Sequence, residues 1–295
     1  MKASVRSIAL FCALAFAPVW AVCAVLLVRP VTGVLLTLIF SGFMLVPAAA
    51  SVLTRLIRKE GFQDMRLRPR FRGHAGAYVL AWLLPIGLTV LGAVLYFIRK
   101  PHMFDPSCTM LRVSGVAEDK LPTVLLMNGI LMLAGPLLNF IPALGEELGW
   151  RGYLLPKLAA RMRPRAAALL SGCIWGLWHA PMIALGHNYG FGYWGFPWAG
   201  ILLMTVFCMA FGAFLAWLTF HTRSTIPAAL AHGGLNAVAA IGLLCCLPGY
   251  NALIGPAPVG LIGGIPTLLA GVLCLLLIRP AKAEPEMPED GNVND

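Results

Sequence analysis

The chain has 295 residues, of which 59% are hydrophobic and only 12% are charged, and its formal net charge is +10. Soluble domains carry about 25% charged residues, so the composition excludes an ordinary soluble protein and predicts an all-α polytopic membrane protein. The apolar runs are too continuous for the alternating pattern of an outer-membrane barrel.

Eight apolar stretches have the length of roughly 20 residues that a helix needs to cross the bilayer core. In chain order the predicted transmembrane helices are 8–28, 31–53, 76–98, 122–144, 166–186, 198–220, 226–247 and 259–278. The first is longer than the core of a signal peptide, so we interpret it as an uncleaved span. The fourth span can continue as a helix through the two glutamates that follow it.

Basic residues lie mostly in the connectors of one predicted side. With a cytoplasmic N-terminus, 16 Lys and Arg residues fall on the cytoplasmic side and 5 on the other, with Arg151 counted apart. This bias follows the positive-inside rule and predicts that the N- and C-termini are both cytoplasmic. The same distribution argues against a nucleic-acid partner. We interpret the basic loop 54–75 as a topology determinant, with contact to anionic lipid headgroups as the alternative.

The chain divides into four predicted parts. Residues 1–120 form N-terminal transmembrane helices, 121–247 a core, 248–280 a last transmembrane helix and 281–295 a disordered acidic tail rich in Pro and Glu. Gly172 and Gly176 are four residues apart, which predicts close helix approach. The eight cysteines are scattered, and the adjacent Cys245 and Cys246 are expected to pack in a helix. Neither a disulfide framework nor a thiolate metal site is therefore predicted.

Three polar groups interrupt the apolar second half of the chain. Of the twelve acidic residues, only two neighbouring glutamates are embedded in mainly apolar sequence, where a carboxylate costs several kcal/mol unless it is paired or solvated. Such residues indicate a functional site. The three groups are Glu146-Glu147-x-x-x-Arg151, His179, and His232-x-x-x-Asn236.

Helical spacing constrains these groups. Glu147 and Arg151 are four residues apart, so they share a helix face and can pair. Glu146 points about 100° away from its neighbour, so it can face a cavity while Arg151 neutralises the other carboxylate. His232 and Asn236 also project to one side of a helix.

The combination suits hydrolysis. A glutamate shielded from water is a stronger base and can activate a water molecule. One histidine can hold that water, and a second histidine with an amide can donate hydrogen bonds to an oxyanion. The sequence lacks the His-Glu-x-x-His pattern of zinc proteases and the Gly-x-Ser-x-Gly pattern of a serine nucleophile. No aspartate falls in a predicted span, which excludes a mechanism based on two aspartates.

At these positions the chain resembles the CPBP intramembrane proteases, the CAAX-protease and bacteriocin-processing (Abi) family. The family pattern is Glu-Glu-x-x-x-Arg, then Phe-x-x-x-His, then His-x-x-x-Asn, and here Trp175 replaces the phenylalanine. The resemblance implies a type II CAAX prenyl endopeptidase-like fold with the catalytic helices in the second half of the chain. It further implies that Glu146 and His179 activate water, that His232 and Asn236 stabilise the oxyanion, and that Glu147 and Arg151 support the site.

The resemblance implies a multi-pass enzyme of the cell membrane that hydrolyses peptide bonds in a protein or peptide substrate. The favoured mechanism needs no cofactor, and the alternative is a zinc ion held by Glu146, His179 and His232. The substrate is open among prenylated proteins, bacteriocins and other membrane proteins. Two other functions compete: a proton- or cation-coupled transporter that uses the Glu146–Glu147 pair, and a non-catalytic membrane scaffold.

Overall fold

The computed structural model describes residues 4–279, and their regular structure is helical, which confirms the predicted all-α class. The predicted acidic tail, 281–295, lies outside this range. The helices are α1 (Val5–Val28), α2 (Gly33–Phe43), α3 (Val46–Arg58), α4 (Ala75–Arg99), α5 (Thr109–Val113), α6 (Leu121–Leu138), α7 (Phe140–Gly149), α8 (Leu155–Ala159), α9 (Pro164–Trp178), α10 (Ala180–Ala184), α11 (Trp198–Thr222), α12 (Ile226–Val238) and α13 (Ile265–Leu277).

Seven helical segments within residues 4–279 are long and apolar enough to cross a bilayer, so the protein is a multi-pass membrane protein. They correspond to the first seven predicted spans. The eighth predicted span contains α13, which has only 13 residues and is therefore about 20 Å long, against a bilayer core of about 30 Å. The preceding stretch, 251–264, is rich in Gly and Pro and forms turns instead of helix.

Two prolines break predicted spans next to the glutamate pair. Pro47 has no N–H for the carbonyl of Phe43, and α2 ends at that residue. Pro142 likewise leaves the carbonyl of Leu138 without its helical partner, and α6 ends there. The fourth predicted span thus continues through the glutamates, but as the separate helix α7.

Helix α11 lies at the centre of the fold and packs most extensively on α9 and α13, while α12 packs on α4 and α6. The α9–α11 approach depends on the two predicted glycines. A Cβ on Gly172 would lie 2.7 Å from the carbonyl oxygen of Cys208, and one on Gly176 would lie 2.4 Å from the Cα of Thr205. The predicted close contact is present, and it brings the end of α9 against α11.

The loop after α3 is tied to the segment that follows the glutamate motif. Arg55 is buried, forms an ion pair with Asp64, and donates a hydrogen bond to the carbonyl of Gly152 at 3.1 Å. Lys157 forms an ion pair with Glu60 at 2.9 Å. Arg55 is therefore a structural residue as well as one of the basic residues that define the predicted topology.

Candidate active site

The two glutamates lie in α7, and both are almost fully buried. Arg151 follows in a π-helical turn, Trp150–Leu154, a distortion that is frequent at functional sites. Its guanidinium donates to Glu147 Oε1 at 3.0 Å, as the spacing of the two residues predicted. Helix α7 packs against α3 and α12, which places the glutamate pair between α3 and the helix that carries His232.

Two indole groups hold the carboxylate of Glu146. Trp175 Nε1 donates to Glu146 Oε2 at 2.7 Å, and Trp150 Nε1 donates to the same oxygen at 3.2 Å. The other oxygen, Oε1, lies 4.0 Å from His232 Nε2. Sequence reasoning missed both tryptophans as polar partners, although the replacement of phenylalanine by Trp175 was the visible signal.

His232 is oriented by the second glutamate. Its Nδ1 lies 2.8 Å from Glu147 Oε1, and because an ionised carboxylate only accepts hydrogen bonds, Nδ1 carries the proton. Glu147 Oε1 thus joins Arg151 and His232, and the Arg151 guanidinium also lies over the Trp175 ring at 4.4 Å from its centre. The sequence did not predict the contact between Glu147 and His232.

His179 directly follows α9, one turn after Trp175. Its Nδ1 donates to the backbone carbonyl of Trp175 at 2.9 Å, since a carbonyl can only accept, and Nε2 then carries the lone pair. Trp175 therefore binds Glu146 through its indole and His179 through its backbone. The ring of His179 also packs edge-on against Trp178, with 5.0 Å between ring centres.

The four residues predicted to be catalytic line one cavity of about 530 Å³, within the size range of ligand sites. They are Glu146, His179, His232 and Asn236. Asn236 is exposed to the cavity, and its amide has no hydrogen-bond partner within residues 4–279. His187, to which the sequence assigned no role, lines the same cavity. The remaining wall is mostly apolar and comes from α2, α9, α10 and α11 and from the connectors at 185–188 and 258–259.

The side chains named for zinc do not form a ready-made metal site. Across the described range 4–279, no three His, Cys, Asp or Glu side chains are grouped closely enough to hold an ion. Glu146 Oε1 and His232 Nε2 are 4.0 Å apart, whereas ligand atoms on one tetrahedral zinc are roughly 3.3 Å apart. The other oxygen of Glu146 already accepts two indole N–H groups.

Comparison with known proteins agrees with the resemblance drawn from the motifs. Residues 128–238 match the family described as type II CAAX prenyl endopeptidase Rce1-like. A protein named CAAX prenyl protease 2 from Methanococcus maripaludis is 32% identical over 95 residues, which are 32% of this chain and 34% of the relative. The match thus spans about a third of the curated relative. The matched segment contains all three motifs that carry the resemblance.

Proposed function

We propose that this protein is an intramembrane endopeptidase of the cell membrane that hydrolyses peptide bonds with a water molecule activated by Glu146. One observation carries the proposal. Glu146, His179, His232 and Asn236 line a common cavity, and all four belong to the segment that matches a protease family. The mostly apolar remainder of the cavity wall suits a peptide that enters from the membrane.

In the proposed mechanism Glu146 is the general base. Its Oε2 is held by two indoles, which leaves Oε1 to take a proton from the attacking water. His179 accepts the second hydrogen of that water through the lone pair on Nε2. The water oxygen then forms a bond to the scissile carbonyl carbon, and the carbonyl oxygen becomes an oxyanion.

Asn236 and His232 donate hydrogen bonds to that oxyanion. Because Nδ1 of His232 already donates to Glu147, Nε2 can donate only from an imidazolium. Two carboxylates, Arg151 and the imidazolium together carry no net charge, and this pairing lowers the free-energy cost of burying the four groups. Glu146 finally passes its proton to the amide nitrogen, the oxyanion re-forms the carbonyl as the C–N bond breaks, and a carboxylic acid and an amine leave.

The test is cleavage of a peptide by the purified full chain. Glu146→Gln keeps the shape of the side chain and removes the base, so we expect kcat to fall about 10²–10⁴-fold. The matched control is Glu118→Gln, which changes an exposed glutamate in the connector before α6 and should retain activity. Full activity in the Glu146 variant would overturn the proposal.

The relative's name supplies the first substrate to try, a prenylated peptide that ends in a CAAX sequence, beside the same peptide without the prenyl group. Proton-driven flux into proteoliposomes without cleavage would favour the transporter, and a folded protein with neither activity would favour the scaffold.

The proposed mechanism also predicts that a zinc chelator leaves cleavage unchanged. Loss of activity that returns on addition of Zn²⁺ would contradict the metal-free mechanism while leaving the peptidase assignment intact.

A further inference from the structure

Cys108 and Cys245 are 137 residues apart in sequence, yet their Sγ atoms lie 3.8 Å from each other. The sequence predicted no disulfide and placed Cys245 in a helix. The helical placement is wrong, because α12 ends at Val238 and Cys245 lies in a turn. Cys108 directly precedes α5, in the connector between α4 and α6.

Backbone hydrogen bonds hold the two cysteine segments together. The N–H of Asp105 donates to the carbonyl of Cys245 at 2.9 Å, and the N–H of Leu247 donates to the carbonyl of Met103 at 3.0 Å. Between these bonds the two segments form an antiparallel bridge at Cys246. The two thiols are therefore adjacent because their backbones pair, and a small side-chain rotation can bring them to the bonding distance of about 2.05 Å.

Both segments lie at the end of the molecule that the charge distribution places outside the cytoplasm. The connectors of that side hold 5 of the basic residues, against 16 on the opposite side. Disulfides form and persist in extracytoplasmic compartments, whereas cytoplasmic thiols are kept reduced. The predicted topology thus exposes this cysteine pair to oxidising conditions.

We propose that Cys108 and Cys245 form a disulfide, which is an oxidative modification site outside the catalytic cavity. Cys245 is partly exposed and Cys108 is buried, so Cys245 reacts first with a disulfide oxidant of the compartment. Its sulfur bonds to one sulfur of the oxidant and one thiol is released. Cys108 then attacks Cys245 Sγ and releases the second thiol. Two electrons and two protons pass from the cysteines to the oxidant.

The cross-link connects the end of the α12 segment, which carries His232 and Asn236, to the α4–α6 connector. The bond therefore acts as a structural link between these two segments.

The experiment uses the full chain in its native membrane. Free thiols are blocked with N-ethylmaleimide during lysis, and the purified protein is digested and mapped by mass spectrometry without reductant. We expect one cross-linked peptide that contains both Cys108 and Cys245, with a mass about 2 Da below the sum of the two thiol peptides. Reduction should split it and lower the unfolding temperature of the detergent-solubilised protein by a few degrees.

Variants separate the proposed bond from unspecific oxidation. Cys108→Ser and Cys245→Ser should each abolish the cross-linked peptide, whereas the control Cys12→Ser, which changes a cysteine in α1, should keep it. Recovery of both cysteines as alkylated peptides from the wild type would overturn the proposal, as would a cross-link that survives in either variant.

Discussion

Trp175 contacts three of the polar side chains at the candidate site. Its indole N–H donates to Glu146, its carbonyl accepts from His179, and its ring lies under the Arg151 guanidinium. A phenylalanine, the residue of the family pattern, could provide the last two contacts but not the first. In this chain Trp175 therefore positions the proposed base directly.

Trp175→Phe tests that role. The variant keeps the aromatic ring and the backbone but removes one hydrogen bond to a charged group, about 1.5 kcal/mol, so we expect kcat to fall about tenfold with KM little changed. Trp82→Phe is the matched control, since it removes an indole bond to the Leu133 carbonyl outside the cavity. Equal loss of activity in both variants would show that Trp175 acts only through stability.

The pairing of Glu147 depends on one oxygen. Oε1 binds both Arg151 and His232, whereas Oε2 has no hydrogen-bond partner within the described range 4–279. Removing Arg151 would leave a buried carboxylate with one remaining partner, and breaking a buried ion pair in this way typically costs 3–5 kcal/mol.

We therefore expect Arg151→Met to lower the unfolding temperature sharply in detergent. The double variant Glu147→Gln/Arg151→Met also removes the carboxylate charge that has lost its guanidinium partner, and should recover part of the loss. If the single and double variants unfold at the same temperature, the charge of Glu147 is not what makes Arg151 necessary.

The sequence predicts contacts within one helix better than contacts between helices. The four-residue spacing was enough to predict that Glu147 pairs with Arg151 and that Glu146 faces elsewhere. His232 lies 85 residues from Glu147, so their hydrogen bond depends on how α7 and α12 pack, which spacing alone does not give. For the same reason, the sequence did not predict that Cys108 lies close to Cys245.

At the level of helices, glycine and proline set where the polar side chains come together. Pro47 and Pro142 end the preceding helices, and Gly176 lets α9 lie against α11. These effects follow from backbone chemistry and were partly visible in the sequence. The shortness of α13 was not predicted. Its apolar composition extends over about 20 residues, the length of a transmembrane span, but the Gly- and Pro-rich first part of that stretch does not form a helix.

Gly176→Ala tests the α9–α11 contact. The added Cβ would lie 2.4 Å from the Cα of Thr205, so the helices must separate, and we expect a loss of about 1–3 kcal/mol in the free energy of unfolding. Gly87→Ala in α4 adds the same methyl group where no atom of residues 4–279 outside the helix's own backbone lies within 4 Å, and it serves as the control. Similar unfolding temperatures for the two variants would argue against a close α9–α11 contact.

At the scale of the whole molecule, different interactions connect the helices at its two ends, the predicted extracytoplasmic end and the predicted cytoplasmic end. The end predicted to be outside the cytoplasm pairs the α4–α6 connector with the segment after α12. At the opposite end the contacts are between charged and polar side chains. Glu60 forms an ion pair with Lys157 and accepts a hydrogen bond from the Tyr153 hydroxyl at 3.0 Å. Tyr153 and Lys157 lie within two turns after Arg151, so this charged junction holds the segment that follows the glutamate motif.

The charged junction should weaken in acid. Burial acts to raise the pKa of Glu60, but hydrogen bonds from Ser7, Lys157 and Tyr153 outweigh it and hold the pKa below its ordinary value of 4.5. A carboxyl group whose pKa is lower in the folded state stabilises the fold above its unfolded pKa, and this contribution disappears as pH falls through the folded value.

We therefore expect Glu60→Gln to unfold at a lower temperature than the wild type at pH 7, and the difference to shrink steadily once the pH falls below about 4.5. Asp119→Asn is the control, because Asp119 pairs with Lys120 at 3.5 Å on the exposed surface, where an ion pair contributes little. A wild-type advantage over Glu60→Gln that stays constant from pH 7 to pH 3 would mean that the carboxylate charge does not stabilise the junction. In that case the shape of the Glu60 side chain, which glutamine preserves only in part, would explain the difference at neutral pH.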